Sequence, residues 1–293
     1  MKSNFKGSEE HPQKKLKISV KRLIHHLGFE INRRAAAKPL NPAEFLSEPL
    51  FSQGLDSSTK DRLAFYLNDF QKIPGWFGRP VVKVMALIEL HQRTQGIRGS
   101  VAEIGIQYGK SFLPLYILCD KNSRALAIDC FEEQQHNIDG SGCGDSQKLI
   151  DYLKKYGQDD LAKLRLVKTD SLLLDPKKII SLSDGEACRI FSIDGSHTAD
   201  ATERDLTNAC GSLAKGGVIM IDDYFHPRWP GVSEGVNRFM SRSNTDLKPF
   251  FIGFNKVLLA GADHIEGYRR FMEAGMGKPL KESVFFGQKT AIY

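Results

Sequence analysis

The chain has 293 residues, of which 41% are hydrophobic and 26% are charged. This is an ordinary composition for a globular protein, and the length is sufficient for one α/β domain with an N-terminal extension. No apolar run reaches the about 18 residues that a membrane-spanning helix needs, so no membrane span is predicted. The N-terminus also lacks the apolar segment of a secretory signal.

Charge is distributed unevenly along the chain. The net charge is +6, but residues 1–40 carry ten Lys or Arg against three Glu, so the remainder is close to neutral. This balance gives no support to a nucleic-acid groove on the main domain. The basic segment could contact an anionic membrane surface or an acidic partner, or form a solvated arm. The five cysteines form no CxxC pair, which indicates free thiols and a cytoplasmic protein.

Residues 1–58 are predicted to form a basic arm ahead of the main domain at residues 59–293. Apolar residues at helical spacing within Leu16–Ile31, with basic residues among them, predict a short amphipathic helix that ends near Gly28. This helix could lie on a membrane interface, pack on a second subunit of a homo-oligomer, or cover its own domain. Three prolines then indicate an extended linker. They are Pro39, Pro42 and Pro49.

Strand and helix patterns alternate over most of the main domain. Two helices are predicted first, at Thr59–Ile73 and Pro80–Gln95. Predicted strands follow at 100–104, 124–129, 163–168, 189–193 and 217–221. Predicted helices lie between and after them at 109–119, 145–156, 171–181 and 199–214. Such alternation is typical of a Rossmann-like, doubly wound α/β fold, in which helices cover both faces of a parallel sheet.

The last part of the chain departs from this alternation. A helix is predicted at Val232–Ser241 and a short one near Ile265–Ala274. Two late strands are predicted at Pro249–Ala260 and Ser283–Tyr293. Added to the five earlier strands, they give a seven-stranded sheet that is mostly parallel, with an antiparallel edge strand.

A glycine turn follows the first predicted strand. Glu103, Gly105 and Gly109 give the pattern E-x-G-x-x-x-G, and Ser111 lies at the start of the next helix. The glycines allow the backbone to approach a ligand closely, and the helix N-terminus offers free N–H groups to an anion. The dinucleotide fingerprint lacks its middle glycine because residue 107 is Gln, which weighs against a nicotinamide enzyme.

Acidic residues end the second and third predicted strands. Asp129 follows the glycine turn by about one strand–helix unit, where a carboxylate can bind both ribose hydroxyls of an adenosine. Asp170 could accept a hydrogen bond from an adenine amino group, or it could cap the following helix. The sequence leaves these two roles of Asp170 open.

Three further aspartates end neighbouring strands, Asp194 on one and Asp222 and Asp223 on the next. Gathered in one pocket, their carboxylates would repel each other, and a hard cation such as Mg²⁺ would relieve the repulsion. His197 is placed to take a proton from an acceptor hydroxyl. The alternative is a structural histidine that caps the next helix, and His226 is a rival base.

The order of these motifs resembles the class I S-adenosylmethionine-dependent methyltransferases over about residues 98–240. The segments FSIDGSH, GGVIMIDDY and WPGV further resemble the branch of metal-dependent small-molecule and sugar O-methyltransferases. The resemblance implies that S-adenosyl-L-methionine is the cofactor, with Mg²⁺ as a second one. The implied cofactor-binding residues are Glu103, Gly105, Gly109, Ser111, Asp129, Asp170 and Asp194. The implied Mg²⁺ ligands are Asp194, Asp222 and Asp223, and the implied catalytic residues are His197 and Asp194.

The predicted function is Mg²⁺-assisted O-methylation of a small polyhydroxylated acceptor, such as a sugar or glycan precursor. A metal-independent methyltransferase and a catalytically silent cofactor-binding subunit are the alternatives. Two groups of residues have either a role at a ligand, which is the cofactor or acceptor for the loop and the acceptor for the aromatic residues, or a purely structural role. They are the polar loop 131–144, with Gln134, His136, Asn137 and Asp139, and the aromatic residues Trp76, Phe77, Tyr108 and Trp229.

Overall fold

The computed structural model describes residues 40–159, 161–242 and 244–293. The predicted amphipathic helix at Leu16–Ile31 therefore lies outside the described residues. Two short helices open the described part, α1 at Pro42–Ser47 and α2 at Pro49–Gly54. Each begins with a proline. Proline has no backbone N–H, and this costs no hydrogen bond here because the first N–H groups of a helix have no acceptor within the helix. Their Phe45 and Phe51 side chains are buried in the core, so this stretch is packed, and the linker predicted there is wrong for residues 42–54.

Two longer helices precede the sheet, α3 at Ser57–Asn68 and α4 at Arg79–Thr94. Helix α3 begins where the Asp56 carboxylate accepts a hydrogen bond from the Thr59 N–H at 2.9 Å, which is a common N-cap. Helix α4 is fixed to the sheet by buried polar contacts. The Arg189 guanidinium donates to the Gln92 Oε1 atom at 2.8 Å, and the Gln92 Nε2 atom donates to the Arg189 carbonyl at 2.7 Å.

The described strands form one nine-stranded sheet in the order β3-β2-β1-β4-β5-β7-β6-β9-β8. The strands are β1 Ser100–Ile104, β2 Ala125–Asp129, β3 Leu164–Lys168, β4 Cys188–Ile193, β5 Leu213–Asp222, β6 Leu247–Gly253, β7 Lys256–Gly261, β8 Lys281–Phe285 and β9 Gln288–Ile292. The remaining helices are α5 Phe112–Leu118, α6 Ser146–Tyr152, α7 Pro176–Leu182, α8 Ala199–Ser212, α9 Pro230–Arg242 and α10 Ile265–Met276. Strands β1 to β5 are parallel, which confirms the predicted fold class.

The sheet has nine strands and not seven because each predicted late strand is a hairpin. Phe254 and Asn255 both have positive φ, at 52° and 67°, and they turn the chain between β6 and β7. Phe286 and Gly287 do the same between β8 and β9, at 47° and 72°. Positive φ at both central residues matches the two-residue turn that suits the twist of a hairpin. Strand β7 runs antiparallel to β5, as predicted for a late strand, but it lies inside the sheet, whose edge strands are β3 and β8.

Apolar side chains alternate between the two faces of the sheet, as the period of two in a strand requires. Along β5, Val218 and Met220 face the core beneath α1 to α6 and α10, whereas Ile219 and Ile221 face the core beneath α7, α8 and α9. The sheet is therefore buried on both sides. None of the described helices is long and apolar enough to cross a membrane.

One row of residues ends the four central parallel strands. Ile104 of β1 is in register with Ile128 of β2 and Ile193 of β4, and Ile193 is in register with Ile221 of β5. The next residue on each strand therefore lies at the same edge of the sheet. These next residues are Gly105, Asp129, Asp194 and Asp222. Ligands of open α/β sheets bind at this edge.

Candidate active site

A cavity of about 490 Å³ opens at the carboxyl edge of the parallel strands. Its volume lies in the range of small-molecule sites. Of the ten predicted site residues, eight line it. They are Gly105, Ser111, Asp129, Asp170, Asp194, His197, Asp222 and Asp223. Five separate stretches of sequence thus meet in one pocket, as the order of the motifs predicted.

At Gly105 the glycine turn brings bare backbone to the cavity wall. Gly105 has a φ of +88°, and a Cβ atom there would overlap the Asp194 carbonyl oxygen. The Asp129 carboxylate fixes the turn from below. It accepts hydrogen bonds from the N–H groups of Ile106 at 2.6 Å and Gln107 at 2.8 Å. The turn is therefore a preformed cradle at the cavity wall.

Glu103 and Gly109 lie beside the cavity and not in its wall. The Glu103 side chain is fully buried on β1, where its Oε1 atom accepts a hydrogen bond from the Ser192 hydroxyl at 3.4 Å. Burial raises the pKa of Glu103 to about 7. Gly109 packs against the Leu149 side chain. Cofactor contact by these two residues remains a prediction.

Asp170 takes the capping role, and its contact with an adenine remains a prediction. Its carboxylate accepts a hydrogen bond from the Leu172 N–H at 2.9 Å and so caps a single 3₁₀ turn at Ser171–Leu173. Asp170 and Ser171 also line the cavity. Capping fixes the carboxylate at the cavity wall, so one role does not exclude the other.

His197 is held from three sides. Its Nδ1 atom lies 2.6 Å from the Asp139 carboxylate, which also accepts a hydrogen bond from the His197 backbone N–H at 2.7 Å. Its Nε2 atom lies 3.2 Å from an Asp223 oxygen. The ring stacks on Trp229 with a centroid separation of 4.0 Å. Helix α8 is capped by Thr198, so His197 is not the capping residue.

The two carboxylates determine the charge of the His197 ring. Burial alone would lower the His197 pKa, but the hydrogen bonds to Asp223 and Asp139 outweigh it, and the pKa is raised above its usual value. Burial would raise the pKa of both acids. Hydrogen bonds to each, among them those from His197, nevertheless hold their pKa values below the usual range. Below the raised pKa the ring is therefore an imidazolium that donates to both acids.

The Asp222 carboxylate is engaged by protein donors on both oxygens. Its Oδ2 atom accepts from the buried Lys256 ammonium group. Its Oδ1 atom accepts from the Asn255 side-chain amide and from the Asp223 N–H, each at 2.9 Å. The same Asn255 amide also donates to Asp223 at 2.6 Å. Burial and the neighbouring Asp222 raise the pKa of Asp194 well above its usual range.

These contacts do not fit Mg²⁺ at the three predicted ligands. The ligand atoms that lie within 4.8 Å of one another belong to Asp194, His197 and Asp223, so a histidine takes the place of Asp222. Mg²⁺ prefers oxygen ligands, and the Asp222 oxygens already bind Lys256 and Asn255. The predicted acids therefore lie close together, but the Asp222 carboxylate forms an ion pair with the Lys256 ammonium group.

The polar loop 131–144 belongs to the site. It contributes the side chains of Gln134, His136, Asn137 and Asp139 to the cavity wall. Of the aromatic candidates, Trp76, Phe77 and Trp229 also line the cavity. Tyr108 does not, and its ring lies 4.9 Å from the Lys148 ammonium group.

The sequence patterns do not identify the partners of His197 and Asp222. Asp139 is one of several polar residues in a loop, and its contact with His197 spans 58 positions. Asn255 and Lys256 lie inside a segment that was predicted to be one continuous strand. A turn between two strands would have placed Lys256 at the sheet edge, but Phe254 is an unusual residue for a left-handed turn position.

Residues 102–224 match the family model described as a methyltransferase domain. No curated protein matches the chain. Among solved structures, the O-methyltransferase NovP is 13% identical, with a TM-score of 0.50, over 62% of this chain and 80% of that chain. CalS11, a calicheamicin methyltransferase, is 14% identical over 78% of this chain and 99% of its own, with a TM-score of 0.49. An O-methyltransferase from Bacillus cereus in complex with SAH is 15% identical over 74% and 94% of the two chains, with a TM-score of 0.47.

The family match covers the strands that build the cavity, from β1 to the acids that end β5. The observed sheet order, with β1 between β2 and β4 and with β7 antiparallel to β5, agrees with that match. The glycine turn at Gly105 and the acids that end the strands line one cavity, and their roles toward a cofactor remain predictions. Residues 102–224, which build most of the cavity wall, thus match a methyltransferase domain.

Proposed function

We propose that this protein transfers a methyl group to a hydroxyl of a small polyhydroxylated, sugar-like acceptor, with His197 as the general base. The observation that carries the proposal is the Asp139–His197 pair, which lies in the same cavity as the glycine turn at Gly105. A base and a cofactor cradle within one cavity are the parts that O-methylation requires.

The chemistry divides between the cofactor and the chain. Bound S-adenosylmethionine supplies a methyl group that its sulfonium already activates. The chain supplies a base, because a sugar hydroxyl is a poor nucleophile at neutral pH. His197 must first lose its Nε2 proton. It then accepts the acceptor's hydroxyl proton at that nitrogen as the oxygen takes the methyl group, whose bond to the donor sulfur would break to leave S-adenosylhomocysteine. Asp139 keeps the other ring proton on Nδ1 and so fixes the tautomer and the ring orientation.

The cavity wall suits a polar acceptor with one flat apolar face. Side chains that can bind hydroxyl groups come from the loop 131–144 and from the strand ends. Trp76, which is 83% exposed at the cavity, offers an aromatic surface to solvent and to a ligand. An aromatic ring with hydrogen-bonding groups around it is typical of sugar recognition, and this combination supports the acceptor class.

The direct test is methyl transfer from labelled S-adenosylmethionine to a set of sugars, nucleotide sugars and phenols, with the products identified by mass spectrometry. We expect a singly methylated sugar product. Calorimetric binding of S-adenosylmethionine without turnover on any of these compounds would favour the silent cofactor-binding subunit. Transfer to phenols alone would overturn the sugar-like acceptor but not the methyltransferase reaction.

The rate of transfer is expected to rise with pH across the His197 titration. Only the neutral ring can accept a proton, and Asp139 and Asp223 hold the His197 pKa above its usual value. Turnover is therefore low below that raised pKa and increases as the pH passes it. In Asp139→Asn, a negative charge beside the ring is lost, so the acid limb of the kcat/KM profile should move to lower pH, and kcat should fall because the tautomer is less well fixed.

The matched control for this profile is Asp145→Asn. Asp145 lies in the same part of the chain and caps α6 by accepting from the Lys148 N–H at 2.9 Å. Its loss should leave the acid limb where it is in the wild type. An acid limb that Asp139→Asn does not move would contradict the assignment of His197 as the base.

Magnesium assistance is not part of the steps proposed here, because Asp222 is bound by Lys256 and Asn255. A divalent cation at Asp194, His197 and Asp223 is the second version of the reaction, and the proximity of their ligand atoms supports it. Turnover in excess chelator distinguishes the two versions. Loss of activity that Mg²⁺ restores would favour the second.

A further inference from the structure

Lys256 is a buried cation inside the acidic part of the active site. It is the first residue of β7, directly opposite Asp222 in the antiparallel register with β5. Its side chain is 3% exposed, and its ammonium group pairs with the Asp222 carboxylate. The ammonium group also lies 5.6 Å from the centre of the Phe77 ring, on the side of the cavity wall. Such a group is costly to bury without an anion.

Asp223 and Asp139 have protein partners as well. The Asp223 carboxylate binds the Asn255 amide at 2.6 Å and faces His197 at 3.2 Å. His197 in turn binds Asp139. Each of the carboxylates of Asp139, Asp222 and Asp223 therefore meets a basic side chain of the chain itself, either His197 or Lys256. Mutual repulsion among these acids does not call for an added cation.

We propose that the Lys256 ammonium group serves as the cation of the Asp222 carboxylate and keeps divalent cations from binding to Asp222. A divalent ion at Asp222 would have to displace the ammonium group and leave it buried beside a second positive charge. Coulomb repulsion between close charges is strong in a desolvated site. The two-residue turn at Phe254–Asn255 fixes Lys256 opposite Asp222. The exclusion of divalent cations from Asp222 therefore follows from the fold of this hairpin.

Manganese binding to the purified protein tests the proposal without any acceptor. Mn²⁺ is counted by its free-ion electron paramagnetic resonance signal during titration. The wild type should show no site at Asp222. In Lys256→Met the carboxylates lose their ammonium partner, and the affinity for one Mn²⁺ should increase about tenfold or more. The double variant Lys256→Met with Asp222→Asn should lose this gain.

Two further variants serve as controls. Lys248→Met removes a half-buried lysine from the neighbouring strand β6 and should leave Mn²⁺ binding at the wild-type level. Lys256→Arg keeps a positive charge next to Asp222 and should also show no gain. Circular dichroism establishes that each variant is folded. If Lys256→Met does not fold, Lys256→Gln replaces it in the same titration.

The wild-type protein gives an independent answer if neither neutral variant folds. Stoichiometric Mn²⁺ binding by the wild type, lost in Asp222→Asn, would overturn the proposal, as would a folded Lys256→Met that gains no site. The proposal also expects methyl transfer by the wild type to persist in excess chelator. This last measurement rests on the proposed function, whereas the Mn²⁺ titrations do not. The titrations therefore test the role of Lys256 even if the protein shows no transferase activity.

Discussion

Replacing His197 with Ala is expected to reduce kcat for methyl transfer by about 10²- to 10⁴-fold, the usual contribution of a general base. The variant removes the group that takes the acceptor's proton and leaves the glycine turn and Asp129 in place. Affinity for S-adenosylmethionine should therefore stay within a few-fold of the wild type. Steady-state kinetics and calorimetry on the same preparation measure the two effects.

His226→Ala is the matched control for that variant, because His226 lines the same cavity and is the rival base. Its N–H donates to the Asp223 carbonyl at 3.0 Å, so its backbone closes the turn after β5. Its side chain lacks the paired carboxylates that His197 has at both ring nitrogens. We expect a much smaller loss than for His197→Ala, and a larger loss would transfer the role of base to His226.

Gly105→Ala should have the largest effect on stability among single glycine substitutions at the site. The new Cβ would overlap the Asp194 carbonyl oxygen and carbon, and these backbone atoms belong to the end of β4 and cannot rotate away. We expect a loss of more than about 4 kcal/mol, or no folded protein. The measurement is thermal unfolding followed by circular dichroism, with S-adenosylmethionine binding tested on whatever folds.

Gly96→Ala separates the effect of overlap from that of backbone conformation. Gly96 also has a positive φ, at +67°, but a Cβ there would meet nothing within 4 Å. The left-handed conformation alone costs an alanine about 1–2 kcal/mol. The Tm should thus fall by only a few degrees. Equal losses in the two variants would show that the Asp194 contact does not limit residue 105.

The edge of the sheet could be predicted from the sequence because it depends on a repeated local pattern. Each central parallel strand ends in Ile followed by Gly or Asp, and equal registers then bring Gly105, Asp129, Asp194 and Asp222 to one row. The carboxyl ends of parallel strands all lie at the same edge of the sheet, so residues that follow these strands are expected there together. The acids and the glycine turn were therefore found without coordinates.

The partners of those acids could not be predicted in the same way. Asp139 reaches His197 only through the fold of a loop, and a loop carries no period that fixes where its side chains point. Lys256 depends on a hairpin whose turn contains Phe254, a residue that gives no turn signal. The charge balance of the site is therefore set by residues from the least regular parts of the sequence.

The stacking of His197 on Trp229 gives this enzyme a natural optical probe. The chain has only two tryptophans, Trp76 and Trp229. In a Trp76→Phe protein the fluorescence would come from an indole that lies 4.0 Å from the imidazole. A cation over an indole face interacts with its π-electrons, so emission from this single fluorophore should follow protonation of the ring. The protonation state of His197 could then be followed by fluorescence in the protein without an acceptor.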